Sequence, residues 1–404
     1  MSEYSKISQR KGSMNKRARS INACKISLLI PAISISGLLG ACSHRQNVKS
    51  QQDNIDRSLG KKEKLVLLSG VAKKRREILK KAKFNGYHLV NQNSKGSTAI
   101  ALRDFWERVR TRTNGELNMT VLYKDATLPG ADGEAVLSTA YGRFDAVTAN
   151  APIFSNVLPH VVNIMTLLFA YDDSSEGLEL VRNKTFNKVL VEAGKPFNLT
   201  FIPSASMNAG LRVVTSNAIH PFEDLEDIDG FKLRIPPSKS VSKQLKALGV
   251  KPIQTPISSL LPTLKSNTAY GQENPPSYIE IFGINKVQNR IWKTNHLWSG
   301  FLTAINTKTW EAWPSEWHEI VKNESKVMQE KQWMQISHQN KQALVDEATH
   351  GMKVMPTNFQ NISENKKFSE AREEIVMSLD PRIIPIANQI IDGKLKNEDG
   401  NTKN

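Results

Sequence analysis

The chain has 404 residues, with 55 Lys and Arg against 39 Asp and Glu, for a formal net charge of +16. This length allows two ordinary lobes with a large core, and the hydrophobic and charged fractions, 39% and 23%, are those of a soluble globular protein. The basic excess is local: residues 1–83 hold 20 Lys and Arg against 5 Asp and Glu, leaving 35 against 34 afterwards, whereas a nucleic-acid binder carries its excess on the folded domain.

The first 41 residues read as a signal peptide. Arg10, Lys11, Lys16, Arg17, Arg19 and Lys25 form a basic region ahead of an apolar stretch at 26–41. At 16 residues, that stretch is short for a membrane span and suits a signal sequence. It ends in Leu39-Gly40-Ala41-Cys42, similar to a bacterial lipobox, in which the cysteine thiol receives a diacylglycerol. Cleavage as an ordinary secretory signal, with Cys42 incidental, is the alternative. The other cysteine, Cys24, lies inside the leader, so no disulfide is expected in the folded part. Residues 42–83 read as a lipid-anchor cysteine and basic linker. Within it, 61–83 reads either as a basic amphipathic helix on anionic headgroups or as a spacer broken at Ser69-Gly70.

Strands and helices then alternate, which argues for α/β lobes. A strand is expected at 87–91. A helix begun by Ser97 or Thr98 follows, with Leu102, Phe105, Trp106 and Val109 on one face, closed by Asn114-Gly115. Leu117, Met119 and Val121 alternate as the next strand, 131–141 reads as helix and 144–148 as strand. Leu211-Arg212-Val213 and Phe231-Lys232-Leu233-Arg234-Ile235 each place an arginine on a strand opposite its apolar neighbours. Pro236 and Pro237 stop the second strand, and Ser238 begins a helix carrying Val241, Leu245 and Leu248 and ended by Gly249. Pro262 falls in the first turn of another helix, where a missing N–H costs little. Gly271-Gln-Glu-Asn-Pro-Pro-Ser277 reads as a loop presenting a carboxamide. Residues 315–350, after Pro314, contain almost no breaker and read as one long helix. A short strand at 352–355, a helix near 363–379 and a terminal helix with Ile383, Ile386, Ile390 and Ile391 complete the chain, ahead of a frayed tail at 394–404.

An arginine fork matches the two oxygens of a carboxylate, so the two strand arginines suggest a binding site; the plain alternative is that both are solvated. No Gly-x-Ser-x-Gly elbow, Walker loop, His-Glu-x-x-His motif or Cys-based metal site occurs, and a lone histidine such as His296 is more often structural than a ligand. No catalytic residue, metal or cofactor is expected.

The order of motifs carries a resemblance. Glu-Asp-Leu225, Gly-Phe-Lys-Leu-Arg-Ile-Pro236, Lys246-Ala-Leu-Gly249, Gly271-Gln-Glu-Asn-Pro275, Asn285-Lys-Val287 and Thr294-Asn-His296 resemble the solute-binding proteins of TRAP transporters, of DctP type. Arg212-Val-Val-Thr-Ser-Asn217 and Tyr141-Gly-Arg-Phe-Asp145 extend the likeness to roughly residues 84–380. The resemblance implies an α/β, two-lobed clamshell of the periplasmic-binding type with the long helix spanning both lobes. It further implies lobe I at 84–207 plus 298–330, lobe II at 208–297 plus 331–404, and hinge strands near 206–212 and 298–304.

By the same resemblance Arg234 forms the salt bridge to the ligand carboxylate, Arg212 is a second arginine, and Asn274 hydrogen-bonds the same group. Glu273 supports the loop, and Asn91 and Asn150 line the cleft from lobe I. Trp298 either covers an apolar or sugar face of the ligand or is core. The implied partners are a small organic anion, the small and large membrane subunits of a permease, and a membrane through the lipid anchor, which places the protein in the periplasm or cell envelope. Two departures from relatives, Ala269-Tyr270-Gly271 and Leu128-Pro129-Gly130, leave open sialic acids, C4-dicarboxylates, sugar acids and aromatic acids. Service to a sensor instead of a permease, or a periplasmic enzyme on this fold, are the rival readings.

Overall fold

A computed structural model describes residues 82–123, 132–359 and 361–393. The expected leader, Cys42, residues 61–81 of the basic segment, Leu128-Pro129-Gly130 and the tail from 394 lie outside them.

The first sheet takes strands from both ends of the folded chain. They are β1 (Phe84–Val90), β2 (Leu117–Tyr123), β3 (Ala146–Asn150), β4 (Leu199–Phe201), β5 (Met207–Leu211) and the late strand β11 (Trp298–Asn306). The order is β2-β1-β3-β11-β4, with β5 also on β11. β1 runs parallel to β2 and β3, while β11 is antiparallel to β3, β4 and β5. Helix α1 (Ser97–Arg112) buries Leu102, Phe105, Trp106 and Val109, the face its spacing predicts. Each such side chain contributes roughly 1.5–3 kcal/mol when fully buried. Asn114 at φ 52° and Gly115 at φ 85° end the helix in left-handed backbone. Its start differs from expectation: Gly96 is the N-cap, and Thr98 is buried under Tyr278, its Oγ1 3.4 Å from the phenol oxygen.

The second sheet has order β12-β10-β6-β9-β7-β8. Its strands are β6 (Val213–Ser216), β7 (Lys232–Ile235), β8 (Lys251–Gln254), β9 (Gly271–Asn274), β10 (Arg290–Trp292) and β12 (Lys353–Met355). Gly271–Asn274 is thus a central strand, not the loop expected from its two prolines. Pro275 and Pro276 only end it. Gly271 lets it approach β6, since a Cβ there would lie 2.3 Å from the Thr215 carbonyl oxygen. Helix α5 (Lys239–Ala247) begins as expected, with the Ser238 hydroxyl accepting from the Val241 N–H at 3.3 Å, and Gly249 closes it at φ 87°.

The long helix, labelled α8 here after the first-lobe helices α2 (Asp132–Ala140), α3 (Ser174–Arg182) and α4 (Lys184–Gly194) and the shorter α6 (Leu260–Lys265) and α7 (Thr307–Ala312), covers Ser315–Thr349. Near its start Glu324 accepts from Arg108 Nε at 2.7 Å and pairs with Arg112 Nε at 2.8 Å, both on α1; further along, Leu344 packs into the second-lobe core. The helix therefore spans both lobes. Helix α9 (Lys366–Met377) packs on α5, whereas α10 (Ile384–Ile391) returns to the first lobe, its Ile386 and Ile390 joining Leu180, Phe186 and Leu190. The expected assignment of everything after 331 to lobe II fails there. Isoleucine spacing shows that a helix has a buried face, not which core receives it.

A buried relay crosses the first sheet. Trp106 Nε1 donates to His88 Nδ1 at 2.8 Å, and His88 Nε2 lies 2.8 Å from Thr148 Oγ1. Thr148 and Thr303 hydroxyls are 2.6 Å apart, and Thr303 donates to the Ala205 carbonyl at 3.0 Å. An indole N–H can only donate, so Nδ1 must accept and the imidazole is held neutral. Burial depresses the His88 pKa from 6.5 to about 3.

Candidate functional site: a cleft between two sheets

Register brings the site together. In the second sheet β7 and β9 are parallel, with Arg234 beside Gln272, while antiparallel β6 sets Val213 beside Asn274. The carboxyl ends of β7 and β9 and the entrance of β6 therefore share one edge, carrying Arg234, Asn274 and Arg212. In the first sheet β1 and β3 are parallel, and their carboxyl ends lead into Asn91, Gln92 and Asn150. The two edges face each other, the usual location of a ligand crevice in open α/β sheets.

The second-lobe wall is charged, and its bonds stay within that lobe except where Arg212 reaches β11 at the hinge. Arg212, 2% exposed, donates from Nη1 to Glu273 Oε1 at 2.6 Å, and its Nε and Nη2 reach Ser299 Oγ at 3.3 and 3.1 Å. Burial would raise the Glu273 carboxyl, but the Arg212 guanidinium, with His296 Nε2 at 3.6 Å, more than offsets this and holds it below the usual 4.5. Arg234, 1% exposed, donates from Nε to Thr255 Oγ1 at 3.2 Å and from Nη2 to the Thr255 carbonyl at 2.5 Å. Those bonds fix the plane of its fork. Asn274 Nδ2 donates to Gln272 Oε1 at 2.6 Å, and Gln272 Nε2 to Thr215 Oγ1 at 2.9 Å.

The first-lobe wall is uncharged. Asn91, Gln92 and Asn150 are buried, and their side-chain oxygens have no hydrogen-bond partner among the described residues. With Arg212, Arg234 and Asn274 they line a cavity of about 20 Å³, which Pro236, Ile257 and Phe282 complete on its apolar side. Such a space admits about one water. An organic acid therefore enters only when the lobes part. At the rim the lobes are bonded: Asn156 Nδ2 donates to the Pro237 carbonyl at 2.7 Å, its Oδ1 accepts from the Lys239 N–H at 3.2 Å, and Thr166 Oγ1 donates to Ser240 Oγ at 2.8 Å.

Five of the six residues expected to bind ligand thus share one cavity: Arg234, Arg212, Asn274, Asn150 and Asn91. The sixth, Trp298, does not. It is fully buried beside Tyr171 and Trp333, with Nε1 donating to Asn208 Oδ1 at 3.0 Å. Two glycines make its space, since a Cβ on Gly177 or Gly300 would lie 2.3 or 2.5 Å from the indole. The aromatic ring at the cavity is Phe282. Neither it nor Gln92 stands out in the sequence, although Gln92 directly follows Asn91 at the end of a predicted strand.

The chain crosses between sheets at Arg212, which separates β5 from β6, and between β10 and β11. The expected hinge segments meet there: Leu211 pairs with Trp298, and the Arg212 N–H donates to the Leu297 carbonyl at 2.9 Å. A profile of the bacterial extracellular solute-binding proteins, family 7, of DctP type, matches residues 88–378. The chain belongs to this family. The C4-dicarboxylate-binding periplasmic protein DctP of Rhodobacter capsulatus is 24% identical over 217 residues, which are 52% of this chain and 62% of that protein. Among solved structures, the fold is similar to a TRAP periplasmic solute-binding protein from Xanthobacter autotrophicus with bound β-D-galacturonate. That likeness has a TM-score of 0.69 at 16% identity and covers 76% of this chain and 99% of that one. A second, from Desulfovibrio salexigens with bound orotic acid, gives 0.69 at 19% identity over 77% and 98%. The family 7 fold explains the architecture: a solute-binding protein needs two walls that separate and meet again, and the crossings beside Arg212 allow it. Among the described residues no helix is long and apolar enough to cross a membrane, and no group of three His, Cys, Asp or Glu is placed to hold a metal ion.

Proposed function

We propose that this solute-binding protein captures an organic acid by its carboxylate in the cleft and delivers it unchanged to the membrane subunits of a TRAP permease. The observation that carries this is Arg234: a buried guanidinium that lines the cavity beside its carboxamides, its plane fixed by Thr255. A planar fork held in place recognises a carboxylate with little further loss of freedom. Asn274, beside it on the same edge, supplies a hydrogen bond to the same group, and Arg212, already compensated by Glu273, adds positive potential from the hinge. The structural neighbours' ligands, galacturonate and orotic acid, are both carboxylic acids. Cys42 serves as the lipidated N-terminus after cleavage of the leader, and the basic segment at 61–83 adds electrostatic attraction to the anchor.

Mass spectrometry of the acid released when the purified full chain is denatured names the ligand, and titration calorimetry then compares wild type with Arg234→Ala. Loss of a buried charge partner costs on the order of 3–5 kcal/mol, or roughly two to four decades in affinity. A loss under about threefold, below 0.7 kcal/mol on the same scale, would remove Arg234 from the site.

A further inference from the structure

We infer that the acid is polyhydroxylated, and that Asn91, Gln92 and Asn150 are the residues that read its hydroxyl groups. This rests on the carboxylate reading above and specifies the rest of the ligand. The three side chains are 3%, 6% and 6% exposed and line the same cavity as Arg234, and each has an amide oxygen with no hydrogen-bond partner among the described residues. Buried polar atoms are nearly always satisfied, so three unsatisfied acceptors on one cavity wall mark a place where a ligand supplies donors.

The chemistry of those donors is narrow. A carboxamide is at once donor and acceptor, and an aliphatic hydroxyl is its complement in both roles. A second carboxylate is acceptor-only: an amide could turn its NH₂ toward it, but the amide oxygen would still lack a donor. An unsubstituted alkyl or aromatic acid satisfies neither end. The same cavity is also lined by Pro236, Ile257 and Phe282, apolar surface that suits the C–H face of a sugar-like chain.

The test is calorimetry on the full chain, freed of bound acid, with the six-carbon hydroxy acids D-gluconate, D-glucuronate and D-galacturonate against hexanoate, of the same chain length, and against the shorter dicarboxylate succinate. A missing hydroxyl at a site built for it loses roughly tenfold or more, so the best hydroxy acid is expected to bind at least about a hundredfold tighter than hexanoate or succinate. The variants Gln92→Leu and Asn91→Leu should weaken the hydroxy acids roughly tenfold more than hexanoate and so narrow that ratio, with melting curves confirming that they fold; a purely structural role would weaken all acids alike. Succinate or hexanoate binding as tightly as every hydroxy acid, with Arg234→Ala still abolishing it, overturns the inference and leaves the carboxylate reading intact. Binding that Arg234→Ala does not affect overturns both.

Discussion

The two walls of the cleft satisfy their polar groups in opposite ways. On the second lobe, Arg212 is compensated by Glu273 and Arg234 is braced by Thr255, while the bond from Arg212 to Ser299 reaches β11 at the hinge. On the first, three uncharged carboxamides end in oxygens with no partner among the described residues. The expensive groups, the charges, are settled within one rigid body, so opening the cleft exposes no newly broken ion pair. The inexpensive ones, neutral amides, are left for the ligand. A hinge can work between such walls because the Arg212–Glu273 pair stays on one side when they separate, and only neutral bonds need to adjust.

The largest effect that could break this contrast lies at Glu273. Glu273→Ala should destabilise the fold by about 3–5 kcal/mol, because it leaves Arg212 charged and buried without its carboxylate. Denaturant unfolding measures it. If stability is unchanged, the second-lobe wall is not internally compensated.

Acid should act next, and through the first lobe. The folded pKa of His88 is depressed to about 3 from 6.5, so below pH 6.5 the unfolded chain binds a proton that the folded one refuses. Stability therefore falls from pH 6.5 towards pH 3, by about 2 kcal/mol at pH 5. Glu273 adds to the loss at lower pH: its folded pKa is also depressed, so its contribution, present above 4.5, disappears as pH falls through the folded value. Melting His88→Gln and wild type from pH 7 to 5 should show the slope in wild type only. Equal slopes would mean that the buried relay does not hold the imidazole neutral.

The smallest effect sits at the seam. Asn156→Ala removes the bonds to Pro237 and Lys239 across the rim, each worth about 0.5–1.5 kcal/mol. Ligand affinity should drop several-fold through a faster off-rate, with no change in unfolding midpoint; a changed midpoint instead would make Asn156 part of the fold rather than of closure.

Much of the charged wall was legible because strand arithmetic reports it. Phe231, Leu233 and Ile235 alternate with Arg234, so the arginine had to leave the core on the other face, and Pro236 marked the strand end where ligands bind. What strand arithmetic does not report is what waits on that other face: Arg234 is as buried as its apolar neighbours because the first lobe lies over it. Gly271–Asn274 misled for a related reason. Its prolines lie past the strand, and Gly271 permits close packing on β6. Trp298 was placed in the core by Gly300 on its own strand and by Gly177, distant in sequence, and Phe282 reached the cleft through lobe geometry. Local periodicity records a residue's own element; a cleft is made by elements meeting.

Closure itself is the central claim, since a cavity of about 20 Å³ cannot take in an organic acid without the lobes separating. Small-angle scattering on the acid-stripped full chain, before and after adding back the acid identified by mass spectrometry, tests it directly. The account predicts a smaller radius of gyration with ligand, as both walls close on it; an unchanged radius at saturating ligand would contradict a cleft that opens and shuts.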